Sequence, residues 1–318
     1  MKTRTAVLPG LALLFSMFAF SLAAAGQVTA PGAAVARLVV TAVASHGSEV
    51  PAITRDDVIV REGKDHDKLL DWVAATGDHA GLELFLMIDE SAGETLGSQL
   101  GDLRKFILAQ PDSTKVGVAY MQNGTALVLQ APTADHQQAA KSLRLPMGVP
   151  GVNASPYFSL SDLIKKWPGS TNRREVLMIT SGVDGYWGGG SPSDPYVDAA
   201  VADAQRAGVV VFSIYNPGAG HFGQSYYRTW YGQMFLSQLS DRTGGESFYT
   251  SFSGPAVSFT PFLEQLQQRL NHQYWLAFAP KPRKKAGLQP VKVTTEVSNA
   301  ELMSADRAFV PATSGAPE

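Results

Sequence analysis

Cysteine is absent from all 318 residues, so disulfides, thiolate metal sites and a cysteine nucleophile are excluded. Charge is sparse as well: 17% of residues are charged and 45% are hydrophobic, which leaves a core held by burial alone. The length allows one large domain or two smaller ones. No basic excess marks a nucleic-acid binder. The single basic cluster, Lys281, Arg283, Lys284 and Lys285, lies between Pro280 and Gly287 and reads as a solvated turn. Also missing are a Gly-x-Ser-x-Gly elbow, a His-Glu-x-x-His pair, a Walker loop and a Gly-x-Gly-x-x-Gly turn after a strand. A glycosidase needs two facing carboxylates, and Asp89 with Glu90 does not qualify, because adjacent strand residues point apart.

Residues 1–25 read as a signal peptide. Lys2 and Arg4 precede an apolar run from Ala6 to Leu22, and Ala23-Ala24-Ala25 offers the small residues that signal peptidase cuts, before Gly26. An uncleaved anchor is the other reading of a run this long, and Pro9, Ser16 and the small-residue end favour cleavage. Cleavage leaves 24 of the 26 basic side chains against 28 acidic ones, and no later run of membrane-spanning length. A periplasmic or secreted protein follows, with no transmembrane segment after signal cleavage. Residues 26–34 and 312–318, rich in Gly, Pro and small side chains, read as loose tails.

The centre of the chain alternates strands and helices. Leu84–Ile88, Val176–Ile179 and Val209–Phe212 are short continuous apolar runs, as expected of parallel strands covered on both faces. Asn123-Gly124 between two strand-like segments predicts a hairpin, hence an antiparallel edge strand. Leu96, Leu100, Leu103 and Ile107 predict one helix. Leu160, Leu163, Ile164 and Trp167 predict a second, opened by a Ser159–Asp162 capping box. Asp194, Pro195 and Gly208 bound a third, and Pro261 to Asn271 a fourth. The fold class is therefore α/β, a doubly wound, mostly parallel sheet with helices on both faces. Right-handed crossovers bring the loops near 89–95, 181–194 and 215–230 to one end of it.

At that end the strand Leu84–Ile88 delivers Asp89, Glu90 and Ser91. Asp89 and Ser91 suit a helix cap, and they equally suit a hard cation such as Mg²⁺, which takes six oxygens and keeps several waters. The run Asp89-Glu90-Ser91-Ala92-Gly93 resembles the Asp-x-Ser-x-Ser metal-ion-dependent adhesion motif of von Willebrand factor A domains, with Gly93 in place of the second serine. Two further ligands of that motif look replaced. Ser181 stands in the position of a Thr-Asp-Gly aspartate, and Tyr157 falls near the position of a threonine, with Ser155 or Ser159 as substitutes and Asp184 as a replacement carboxylate. The flanking phrases Arg37–Val43, Thr54–Lys64, Gln273–Pro280 and Val291–Val297 resemble those of exported bacterial von Willebrand A-related proteins, best known from Acidobacteria. The resemblance implies an N-terminal β module (35–78), the A-like domain (79–272) and a closing C-terminal hairpin (273–311) packed on the module.

What the resemblance implies for function is a non-enzymatic exported module that binds a protein or peptide through these loops. Asp89, Ser91, Ser181 and Asp184 are the candidate ligands of a weak or vestigial Mg²⁺ site. Tyr157, Tyr186, Trp187, His221, Phe222 and Trp230 are candidate partner contacts, because aromatic rings give large contact area at low entropy cost. The same rings also suit an outlying core over the sheet ends. A hydrolase using the same cleft, for instance through His221, Ser225 and Asp241, and a metal-free structural envelope component are the alternatives.

Overall fold

The computed structural model describes residues 34–147, 155–184, 193–218, 226–249 and 256–313. The expected leader and the rings of Tyr186, Trp187, His221 and Phe222 lie outside them. The central sheet is built from β5 (Leu82–Asp89), β6 (Thr114–Gln122), β7 (Thr125–Thr133), β8 (Arg173–Thr180), β9 (Val209–Tyr215) and β10 (Ser247–Phe248). Their order is β10-β9-β8-β5-β6-β7, parallel except for β7, the expected antiparallel edge strand. The turn into β7 holds Asn123 at φ 50° and Gly124 at φ 72°, the positive pair that a two-residue hairpin demands.

Alternation along each strand feeds two cores. Leu84, Leu86 and Ile88 face α1 (Leu100–Leu108) and α6 (Thr260–Asn271), whereas Phe85 and Met87 face α3 (Pro156–Lys166) and α4 (Pro195–Ala207). Every one of these five side chains is at most 3% exposed. At roughly 1.5–3 kcal/mol for each large apolar side chain removed from water, this burial does what cysteine cross-links would otherwise do. The remaining helices, α2 (His136–Ser142) and α5 (Tyr226–Thr243), complete the layers.

Two helix starts differ from the sequence expectation. The Ser159–Asp162 capping box is not formed: α3 begins a turn earlier, with Ser155 as cap and Pro156 in the first turn, where its missing N–H costs nothing. Ser159 is consequently buried in the helix body, while Asp162 accepts from the Ala126 N–H at 2.8 Å and pairs with Lys166 at 2.5 Å. Leu96 shares the core face of α1 but not the helix. Gly93, at φ 56° and ψ −147°, breaks the 3-10 stretch Glu90–Leu96, and α1 starts only at Leu100. Asp194 and Gly208 bound α4 as expected, Asp194 accepting from Tyr196 N and Gly208 ending the helix at φ 64°.

The two flanks of the chain interleave. β1 (Ala36–Ala44) lies between β11 (Gln273–Ala279) and β14 (Ala300–Ser304), with β4 (Lys68–Ala74) on the far side of β11. β2 (Val58–Glu62) joins β3 (Asp65–His66) to β13 (Lys292–Thr295), and β12 (Gly287–Pro290) pairs β15 (Arg307–Val310). The expected closing hairpin is therefore corrected: β11 and β13 do not pair with each other, because each finds an N-terminal partner. β1 ties flank to centre by alternation, with Leu38 and Val40 in the flanking core and Val39 in the α6-side core of the central sheet.

Candidate functional site

The register Ile88↔Ile179 sets the ends of β5 and β8 side by side, and the residues that follow, Asp89 and Thr180, meet there. Asp89 is 1% exposed. Its Oδ1 accepts from the Ser91 N–H at 3.0 Å and the Ser91 hydroxyl at 2.6 Å, and its Oδ2 accepts from the Thr180 hydroxyl at 2.7 Å. Burial pushes the Asp89 carboxyl up from its ordinary value, and the donors from Ser91 and Thr180 pull the other way. The residue that meets Asp89 is thus Thr180 and not the expected Ser181 next to it, whose Oγ accepts from its own loop, at Val183 N.

A second polar pair lies in the neighbouring loops, where the Ser155 hydroxyl donates to Asp184. Both are buried, as is Asp194, whose carboxyl is raised chiefly by burial and further by the charge of Asp184. Tyr157, expected to face a partner, is fully buried instead. Its hydroxyl donates to the Gly182 carbonyl at 2.7 Å, and burial, aided by Asp194 and Asp184, pushes its pKa well up. This ring belongs to the core between α3 and the sheet, so its role is to hold the Ser181–Val183 loop, not to touch a partner.

The residue after Asp89 is a further feature that spacing alone did not reveal. Glu90, 1% exposed, accepts from both Nη atoms of Arg144 at 2.8 and 3.0 Å and from the Met147 N–H at 2.6 Å. The guanidinium sits 4.3 Å from the centre of the Tyr120 ring, and the Tyr120 hydroxyl donates to the Arg144 carbonyl at 2.6 Å. One end of the sheet thus carries two adjacent buried carboxyls, Asp89 held by hydroxyls and Glu90 by an arginine clamp.

Helix α5 approaches this end closely because two glycines face each other. A Cβ on Gly232 would lie 2.2 Å from the Ser181 carbonyl oxygen, and one on Gly182, at φ 66°, would lie 2.4 Å from that of Gly232. The helix then divides its rings. Tyr231 and Phe235 stack inward, while Tyr226, Tyr227 and Trp230 are 70%, 69% and 42% exposed at its first turns. Nearby in the sequence of helix starts, Phe158 of α3 packs on Tyr196 of α4 with ring centres 4.3 Å apart.

The donor set fits a tightly held divalent cation poorly. Asp89 is the one carboxylate of its cluster, both its oxygens are already engaged, and no group of three or more His, Asp or Glu gathers among the described residues. Hydroxyls and one carboxylate leave most of a hard cation's charge to water. Of the hydrolytic trio, His221 and Ser225 lie outside the described residues; Asp241 lies near the far end of α5, about four turns from the start of that helix.

No family model and no curated protein matches the chain. Among solved structures it is similar to an aerotolerance-related membrane protein from Bacteroides fragilis, at 14% identity over 60% of this chain and 99% of that one, TM-score 0.43. It is also similar to the ArnB paralog VWA2 from Sulfolobus acidocaldarius, at 10% identity over 87% and 75%, TM-score 0.37. A third is the three N-terminal domains of the type V pili tip protein Mfa5 from Porphyromonas gingivalis, at 10% identity over 90% and 67%, TM-score 0.41.

Proposed function

We propose that this chain is an exported, non-enzymatic binding module that grips a protein or peptide at the carboxyl end of its central sheet. The observation that carries the reading is the exposed ring cluster Tyr226, Tyr227 and Trp230, set on a helix locked by Gly232 against the loop after β8. Large aromatic side chains held out in solvent by a rigid element resemble the anchors of protein interfaces. Asp89, Ser91 and Thr180 lie at the end of the same sheet, and Ser155 bonds Asp184 in the neighbouring loops. Asp89 and Ser91 are the remnant of a Mg²⁺ site, with Ser181 and Asp184 as its former contributors, and recognition proceeds through hydrogen bonds and rings without needing the metal.

Melting the chain without its leader in the presence and absence of millimolar Mg²⁺ or Mn²⁺ tests the metal part. The expected result is no shift in Tm, since a cation that binds only the native state must raise it by mass action. A rise of several degrees, together with loss of partner capture in EDTA, would restore a metal-dependent site.

A further inference from the structure

The amino end of the central sheet holds a carboxyl that the binding surface does not use. Glu175, on β8, is 0% exposed, and neither of its oxygens makes a well-formed hydrogen bond. Its neighbours across the sheet are Leu84 of β5 and Val210 of β9. By alternation it shares a face with Arg173, Leu177 and Ile179, the face covered by α6 and by Val39 of β1.

Arg173 beside it is held almost entirely by neutral acceptors. Its Nη1 donates to the Leu270 carbonyl at 3.2 Å and to Gln273 Oε1, and its Nη2 to the Ala80 carbonyl at 2.9 Å, while its Nε has no partner. Gln273 Nε2 in turn donates to the Thr41 hydroxyl at 3.3 Å. One polar chain therefore runs from β8 through β11 to β1, from the central sheet into the flanking β unit.

We propose that Arg173, Glu175 and Gln273 form a proton-sensitive latch between the central sheet and the flanking strands, closed while Glu175 carries its proton and loosened when it ionises. The inventory of facing groups is short. Among the described residues Arg173, on the same strand, is the one charge acting on Glu175, and β11 supplies the neutral Gln273 amide, which also favours the ionised form without meeting full hydrogen-bond geometry. β1, β5, β9 and α6 supply apolar Val39, Leu84, Val210, Leu266 and Leu270 to this core. An ionised carboxylate there makes no well-formed hydrogen bond to replace the water it lost, and the attraction of Arg173 and Gln273 offsets only part of that loss.

Burial pushes the Glu175 carboxyl up to about 7, with the attraction of Arg173 and the nearby Gln273 amide acting in the opposite direction. The sign follows from linkage. An unfolded glutamate titrates near 4.5, so between there and about 7 the folded chain holds the extra proton. Stability therefore falls as pH rises through that window, and the loss is complete above it.

Thermal melts and hydrogen exchange of the chain at pH values from about 5 to about 9 test the latch, comparing the wild type with Glu175→Gln and Glu175→Met. Both variants are expected to flatten the fall of Tm with pH and to melt roughly 5 °C above the wild type near pH 8. Exchange of β1 and β11 amides, corrected for the intrinsic rate, is expected to quicken above pH 7 in the wild type only. Infrared titration of the wild type reads the group without a mutation: a buried protonated-carboxyl band is expected to persist to near pH 7. Parallel Tm profiles in all three proteins, or loss of that band near pH 4.5, would overturn the latch.

Discussion

Asp89 and Glu175 are buried equally well on adjacent strands, at opposite ends of the same sheet, and they are solvated in opposite ways. Asp89 sits where strands open into turns, and it collects three hydrogen bonds from Ser91 and Thr180. Glu175 sits where β1 and β11 close over the sheet, and it collects none. Burial alone therefore does not say what a carboxyl is for. The donors offered by turns at the carboxyl end oppose the burial that raises the Asp89 carboxyl, whereas Glu175 at the amino end has no such hydroxyl donors.

Breaking the carboxyl end at its strongest point should have the largest effect. Arg144→Ala removes the clamp from buried Glu90, and an uncompensated buried carboxylate typically costs about 3 kcal/mol or more. A denaturant melt is expected to show that loss, and Arg144→Lys to recover only part of it, since one ammonium cannot reproduce the two-pronged contact. A loss below about 1 kcal/mol would mean that water reaches Glu90 and that the clamp is not what satisfies it.

A smaller effect sharpens the contrast between the two carboxyls. Thr180→Val keeps the shape but takes one donor from Asp89, and should cost about 1–2 kcal/mol, as for a buried acceptor left unpaired. Urea unfolding at pH 7 measures it. An unchanged midpoint would show that Asp89 does not depend on its neighbour strand and would weaken the distinction drawn from Glu175.

Much of this was legible in the chain itself, for physical reasons. Parallel strands covered on both faces must be continuously apolar, so β5, β8 and β9 announced themselves, and Asn123-Gly124 announced the edge hairpin because few residue pairs accept two positive φ angles. Helix ends near Pro and Gly were read correctly at Asp194 and Gly208 and wrongly at Ser159, where both Ser155 and Ser159 were chemically able to cap and Pro156 decided between them. The site was harder. Which residue meets Asp89 is set by the register of β5 against β8, a long-range quantity, and the choice of Ser181 over Thr180 missed it by one position. The Glu90–Arg144 clamp spans 54 residues, and the buried Tyr157 owes its place to the carbonyl of Gly182. None of these partnerships leaves a spacing that a single sequence displays. Gly182 and Gly232 were visible only as glycines until the structure placed them face to face.

The claim that the ring-bearing start of α5 is the gripping surface is tested most directly by partner capture with a Tyr226→Ala, Tyr227→Ala, Trp230→Ala triple variant. These side chains are exposed, so the variant should melt within a few degrees of the wild type. Immobilised beside the wild type and exposed to the same envelope extract, it should fail to retain a protein that the wild type retains equally well with Mg²⁺ or EDTA. Retention of that same protein by the triple variant at undiminished yield would contradict the account.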